Sequence, residues 1–111
     1  MTQPDWTLDV GGAPDTAVLR GVFRLESPEA YDRVFAPIAE ALAVAGTTYT
    51  VDLSGVVLMN SSGIRCLADL VLRARRSGVT LAFQGRASIP WQHKTMASLR
   101  SLYDGLVIQL S

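Results

Sequence analysis

The segment Trp6-Thr7-Leu8-Asp9-Val10 alternates apolar and polar residues, the period of a strand that buries one face. Gly11-Gly12-Ala13-Pro14-Asp15 then supplies dense turn chemistry, and Thr16 to Leu25 reads as a second strand rich in β-favouring residues. Two strands joined by so short a connection predict an antiparallel hairpin. Ser27-Pro28-Glu29 carries the marks of a helix start: a capping serine, a proline at the first helical position and an acid in the first turn. Tyr31, Val34, Phe35, Ile38 and Leu42 continue it as an apolar stripe at helical spacing. Pro37 interrupts the stripe and predicts a kink or two abutting segments, and Gly46 is expected to end the helix.

Tyr49 to Leu53 returns to strand chemistry and is expected to close at Ser54-Gly55. Val56-Val57-Leu58-Met59 is an apolar run too short for a helix, which predicts extended chain crossing the core. After Asn60-Ser61-Ser62-Gly63, the stretch Ile64 to Arg76 gives the clearest helix. Ile64, Leu67, Ala68, Val71 and Leu72 form one face, while Arg65, Asp69, Arg73 and Arg76 fall on another. Ser77-Gly78 stops it. Val79 to Phe83 reads as a strand, and Ser88-Ile89-Pro90 opens a last helix that brings Trp91, Met96, Leu99 and Leu102 toward the core. Asp104-Gly105 turns the chain into a final strand, Leu106 to Leu110. Strands alternating with helices after an opening hairpin predict an α/β fold with parallel strand pairs.

Composition narrows the function classes. With 111 residues, a single domain over 1–111 is expected, and 49% hydrophobic against 18% charged residues excludes a disordered chain. The zero net charge lacks the basic surplus that neutralises phosphates, so nucleic acid is not an expected partner. The charges are nonetheless divided. Met1 to Asp52 holds eight acidic and three basic residues, and Leu53 to Ser111 holds two acidic and seven basic. Either the halves neutralise each other on folding, or a polarised surface steers one face toward an acidic partner. No apolar run approaches the ~20 residues that span a bilayer, and Met1 to Asp5 has no leader pattern. A cytoplasmic protein without a membrane partner is therefore expected. Cys66, the single cysteine, forms no internal disulfide and is expected as a buried structural thiol. One histidine and one cysteine make no metal cluster, and no phosphate-cradling Gly-x-x-x-x-Gly-Lys loop occurs, so no metal or cofactor is expected.

The most informative stretch is Val51-Asp52-Leu53-Ser54-Gly55-Val56-Val57-Leu58-Met59-Asn60-Ser61-Ser62-Gly63-Ile64. It resembles the signature of STAS domains, the family that includes bacterial anti-sigma factor antagonists. Members read Asp-Leu-Ser-Gly, a short apolar run, then Asp-Ser-Ser-Gly-Leu. The hairpin start, Gly21 in the second strand and the helix beginning near Pro28 match as well, whereas the C-terminal third matches only in pattern. The resemblance implies a STAS-like mixed sheet with helices packed mainly on one face. It further implies a partner switch: an anti-sigma factor or related serine kinase phosphorylates the first serine of the pair, a phosphatase reverses the step, and the unmodified form binds. By motif position that serine is Ser61. The implied docking face takes in Asn60, Ser61, Ser62, Gly63, Arg65, Asp69, Arg73 and Arg76.

Elementary electrostatics is compatible with such a switch. A phosphate adds roughly −1.5 to −2 charges at neutral pH. A helix N-terminus accepts it through free N–H groups and the helix dipole, and Arg65 lies one turn on. Inside a docking surface the same charge opposes binding while the fold survives. Read alone, Asn60, Ser61 and Ser62 also fit plain helix capping. Asn60 stands where the family has aspartate; it caps equally well, but the lost negative charge bears on recognition by a kinase.

Two alternatives stay open. One is a STAS-like domain without a phosphorylation cycle, acting as a scaffold, a small-ligand sensor or a subunit of a signalling assembly. The other is a small hydrolase with Ser61 as nucleophile and His93 as base. Against it, Met59-Asn60-Ser61-Ser62-Gly63 lacks the first glycine of a nucleophile elbow, and His93 sits beside Lys94 at an exposed helix start, so catalytic residues are not expected. The arginines of the Ile64–Arg76 helix fit a solvated face as well as a contact to acidic partner residues. Trp91 fits core or lid packing. An apolar edge near Val107 and Ile108 leaves a homodimer open.

Overall fold

The computed structural model describes residues 5–111. The sequence reading of the extreme N-terminus falls on residues 1–4, outside the described residues. Five strands form one mixed sheet: β1 (Trp6–Asp9), β2 (Thr16–Phe23), β3 (Thr48–Met59), β4 (Thr80–Gly85) and β5 (Leu106–Leu110). Helix α1 (Pro28–Ala43) joins β2 to β3, α2 (Ser61–Ser77) joins β3 to β4, and α3 (Pro90–Leu99) joins β4 to β5 after adding a short 3₁₀ turn, Arg100–Leu102. The spatial order is β1-β2-β3-β4-β5. β1 and β2 pair antiparallel, as the hairpin reading expected, and the other three pairings are parallel.

This order has a consequence for where the helices lie. All three crossovers step in the same direction, and right-handed crossovers then put their helices on the same face of the sheet. Burial follows. Leu19, Val51, Leu53, Leu81 and Phe83 point to the helices and are 0% exposed, while Thr7, Arg20, Thr50, Asp52, Gln84 and Gln109 alternate with them on the uncovered face. Because the strand order never reverses, the sheet has no switch point, the place where open α/β sheets form their ligand crevice.

Tyr31, Phe35, Ile38 and Leu42 anchor α1, and Ser27 caps it by accepting from the Ala30 N–H at 3.2 Å. The helix runs through Pro37 as one element rather than two. Pro37 and Arg33 are both exposed, so the Arg33 carbonyl that loses its helical donor can be served by water. The helix ends at Ala43, short of Gly46, with the Val44 N–H closing onto the Ala41 and Leu42 carbonyls.

The stretch read as a strand, a turn and a crossing is a single strand of twelve residues. Two irregularities in its pairing with β2 reconcile the readings. Val18 faces Asp52 but Arg20 faces Gly55, and Gly21 faces Val56 but Val22 faces Leu58, so β3 carries one extra residue at each place. Each bulge resets the alternation, which keeps Leu53, Val56 and Met59 inward. The strand thus runs on through Ser54-Gly55, with the extra residue at Leu53-Ser54 and Gly55 paired to Arg20, and does not end there. The apolar run does not cross the core intact either: Val57 and Leu58 are 65% and 43% exposed.

Gly78 ends α2 at φ 71°, the left-handed conformation glycine tolerates, at the stop expected from the sequence. Ser88 does not cap α3; Ile89 occupies that position and makes no capping bond. Met96 and Leu99 are buried, whereas Trp91 and Leu102 are half-buried. No helix among the described residues is long and apolar enough to cross a membrane.

Candidate functional site

Helix α2 begins at Ser61, three residues before the start read from the sequence. Its buried face is Gly63, Cys66, Leu67, Leu70, Val71 and Ala74, rotated by about one position from the expected one; Ile64, Ala68 and Leu72 are only half-buried. The rotation traces to Gly63. A Cβ there would run into Met59 and Tyr31, so only glycine lets the first turn settle this close to β3 and α1.

Asn60 is the cap. Its Oδ1 accepts from the Gly63 N–H at 3.2 Å and from the Tyr31 hydroxyl at 2.6 Å. Its Nδ2 donates to the Leu25 carbonyl at 3.0 Å, and the Leu25 N–H donates to the Tyr31 oxygen at 3.4 Å. The end of β3, the start of α2, and the β2–α1 loop are tied together by one side chain that both accepts and donates. Aspartate, the residue usual in the resembled family, offers no donor and would set a charged oxygen against the Leu25 carbonyl. The local hydrogen bonding therefore calls for asparagine. Burial pushes the Tyr31 phenol above its ordinary value, and the Leu25 N–H partly offsets this.

With Asn60 capping, Ser61 is the first helical residue and is exposed, and Ser62 follows half-exposed. No acidic residue lies in this first turn, so α2 itself supplies no carboxylate to offset its positive end. Arg65 is exposed one turn on, on the same side as Ser61. Immediately before the cap, the bulge turns Val57 and Leu58 outward. Asn60, Ser61, Ser62 and Arg65 are therefore brought together, whereas Gly63 is buried beneath them. Asp69 and Arg73 form an exposed ion pair at 3.4 Å further along α2, and Arg76 lies at the far end of the helix. That pair is the only one among the described residues and joins two members of the basic half, so the two halves of the chain do not neutralise each other through ion pairs.

The sequence reading missed Gln92, which is 0% exposed. Past Asp52, β3 leaves β4, and Gln92 fills the gap. Its Nε2 donates to the Leu53 carbonyl at 2.7 Å and the Val56 carbonyl at 2.9 Å, and its Oε1 accepts from the Arg86 N–H at 2.7 Å. The half-buried Trp91 adds an Nε1–H bond to the Val56 carbonyl at 3.0 Å. These contacts fix the bulged segment that carries Val57 and Leu58. A glutamine between Trp91 and His93 gives no sign of this in sequence.

His93 is exposed and lines a shallow hollow between α3 and β5 with Met96, Arg100 and Ile108, a surface that does not include Ser61. Cys66 is buried, as expected. Burial first, then the nearby Asp32 and Asp69 carboxylates, push its thiol up to about 11. Among the described residues no group of three His, Cys, Asp or Glu side chains is placed to hold a metal ion.

The fold is shared with solved structures at low identity. A chain from the Pseudomonas aeruginosa complex of the diguanylate cyclase SiaD with its activator SiaC superposes with a TM-score of 0.72 at 15% identity, covering 100% of this chain and 96% of that one. An anti-sigma factor antagonist from Mycobacterium paratuberculosis gives a TM-score of 0.62 at 18% identity, covering 96% and 90%. No curated protein matches the sequence. The STAS family described as "Mlab, STAS domain" matches residues 6–101, most of the chain, so this chain belongs to the STAS-domain family.

Proposed function

We propose that this chain is a protein-binding regulator whose docking face centres on the start of α2, with Ser61 as its phosphorylation switch. The observation that carries the reading is the division of labour at the cap. Asn60 caps the helix through the Gly63 N–H, so Ser61 is not needed for that bond and stands exposed at the first helical position. Val57 and Leu58 offer apolar area beside it, of the kind that anchors protein contacts. Arg65 and the positive end of α2 stabilise a phosphate on Ser61 without unfolding the domain, while that charge opposes burial against a partner. The partner in this reading is an anti-sigma factor or related serine kinase, opposed by a phosphatase, in the cytoplasm, and the chain works as one domain without a catalytic centre. The test is the mass-spectrometric mapping of phosphate on protein isolated from its own cells. Modification at Ser61, absent from Ser61→Ala, is the expected result; an unmodified Ser61 in every growth condition refutes the switch.

A second output is favoured by the fold shared with a chain from the complex of a diguanylate cyclase and its activator. The same docking face would then control a partner enzyme instead of an anti-sigma factor. Identification of the captured partner separates the two outputs.

A further inference from the structure

The outer surface of the helical layer is split by a crevice between α1 and α2. One part, of about 320 Å³, is lined by Ala36, Ala39 and Cys66 beside the buried Phe35 and Leu70, with Asp32 and Glu40 on the α1 wall and Arg73 on the α2 wall. A second part, of about 520 Å³, shares Asp32, Cys66 and Asp69 and continues past Arg65 to Pro28 and Ser62. The crevice is therefore one channel that ends beside the proposed switch. Ala36 and Ala39, half-buried on the α1 side, leave room there for side chains of another helix. From Asp32 to Glu40 it runs eight residues of α1, or about 12 Å at 1.5 Å per residue.

Its α1 charges, Asp32 and Glu40, have no ion-pair partner among the described residues, where Arg73–Asp69 is the only ion pair. The last turn of α1 holds Glu40 and no basic residue, so α1 itself supplies no cation to offset its negative end. Opposite, Arg65 is exposed at the Ser62 end with no ion-pair partner among the described residues.

We propose that this crevice is a docking groove for one amphipathic helix of a partner protein, which sets apolar side chains on Ala36, Ala39 and Cys66, basic ones against Asp32 and Glu40, and an acidic one against Arg65. The inference rests on the protein-binding reading above but not on phosphorylation of Ser61. It names the chemistry of the partner segment: a helix with two basic residues about two turns apart on one flank.

The test uses the full chain and a synthetic amphipathic helical peptide with two lysines about two turns apart and one glutamate on the opposite flank. Binding is followed by backbone amide shifts and by the alkylation rate of Cys66. The expected result is saturable binding, with shifts confined to α1 and α2 and slower alkylation of Cys66. The double variant Asp32→Lys/Glu40→Lys, with an unchanged circular dichroism spectrum, should weaken binding by about tenfold or more. A peptide with all charges reversed should not bind the wild type. Absence of binding, shifts on the uncovered sheet face, or indifference to the charge reversal overturns the proposal. So does concentration-dependent self-association that shifts the same amides, which assigns the groove to a second copy. Repeating the titration on Ser61→Asp separates the two readings, because loss of the groove leaves the Ser61 switch to its own test.

Discussion

Replacing Gln92 by leucine tests whether one buried side chain holds the bulged half of β3. The substitution keeps approximate volume but removes two donated bonds, to Leu53 and Val56, and one accepted bond, from Arg86. The Val56 carbonyl keeps its bond from Trp91, so the loss falls mainly on the Leu53 carbonyl and the Arg86 N–H. A buried polar group deprived of its partner costs roughly 1–3 kcal/mol, so two of them put the expected destabilisation at about 3 kcal/mol. At a urea m-value of about 1.5 kcal/mol/M this lowers the unfolding midpoint by about 2 M with little change in slope. Gln92→Glu adds a second sign. The carboxylate would face two carbonyl oxygens, so the fold raises its pKa above the unfolded value. The variant should therefore recover toward the wild type as pH falls below the unfolded carboxyl value and lose stability as pH rises from there to the raised folded value. Urea titrations of both variants supply the numbers. A Gln92→Leu midpoint corresponding to less than about 0.5 kcal/mol of loss would refute the reasoning.

Three other perturbations read separate parts of the structure. Tyr31→Phe and Asn60→Ala should each destabilise by about 1–2 kcal/mol, and urea unfolding of the double variant should show less than the sum, since both remove the 2.6 Å bond; full additivity contradicts the network. Tyr49 is 1% exposed and its hydroxyl has no hydrogen-bond partner among the described residues, so Tyr49→Phe should leave stability unchanged or raise it by up to about 1 kcal/mol in the same assay. The fold holds the Cys66 thiol protonated up to about 11 against an ordinary 9, so its contribution is intact below pH 9 and falls away as pH rises from 9 to 11. Wild-type urea midpoints should decline over that window more than those of Cys66→Ala; parallel pH curves contradict it.

Most of the fold was legible because hydrophobic period and turn chemistry agreed along most of the chain. Ser27-Pro28 and Gly78 mark helix ends by local chemistry, and both stand where expected. The errors arose where tertiary pairing overrode local pattern. Ser54-Gly55 looks like a turn in sequence, but pairing with β2 carries the strand through it with a bulge. The buried face of α2 rotated because Gly63 had to meet Tyr31 and Met59, neighbours that lie far apart in sequence or outside the helical pattern. At the candidate site, Asn60, Ser61 and Arg65 could be named from the motif and from helical spacing. Gln92 could not, because its partners are main-chain carbonyls some forty residues upstream that only the folded sheet leaves unpaired. The exposed Val57 was hidden for a related reason: four consecutive apolar residues give no sign of which two a bulge will turn outward.

The central claim is that a partner docks around Ser61 and that negative charge there releases it. Its most direct test captures proteins from the native cell lysate on immobilised wild type, Ser61→Ala and Ser61→Asp and identifies them by mass spectrometry. The account predicts that wild type and Ser61→Ala retain one common partner that Ser61→Asp loses. Retention of that partner by Ser61→Asp at wild-type yield contradicts it.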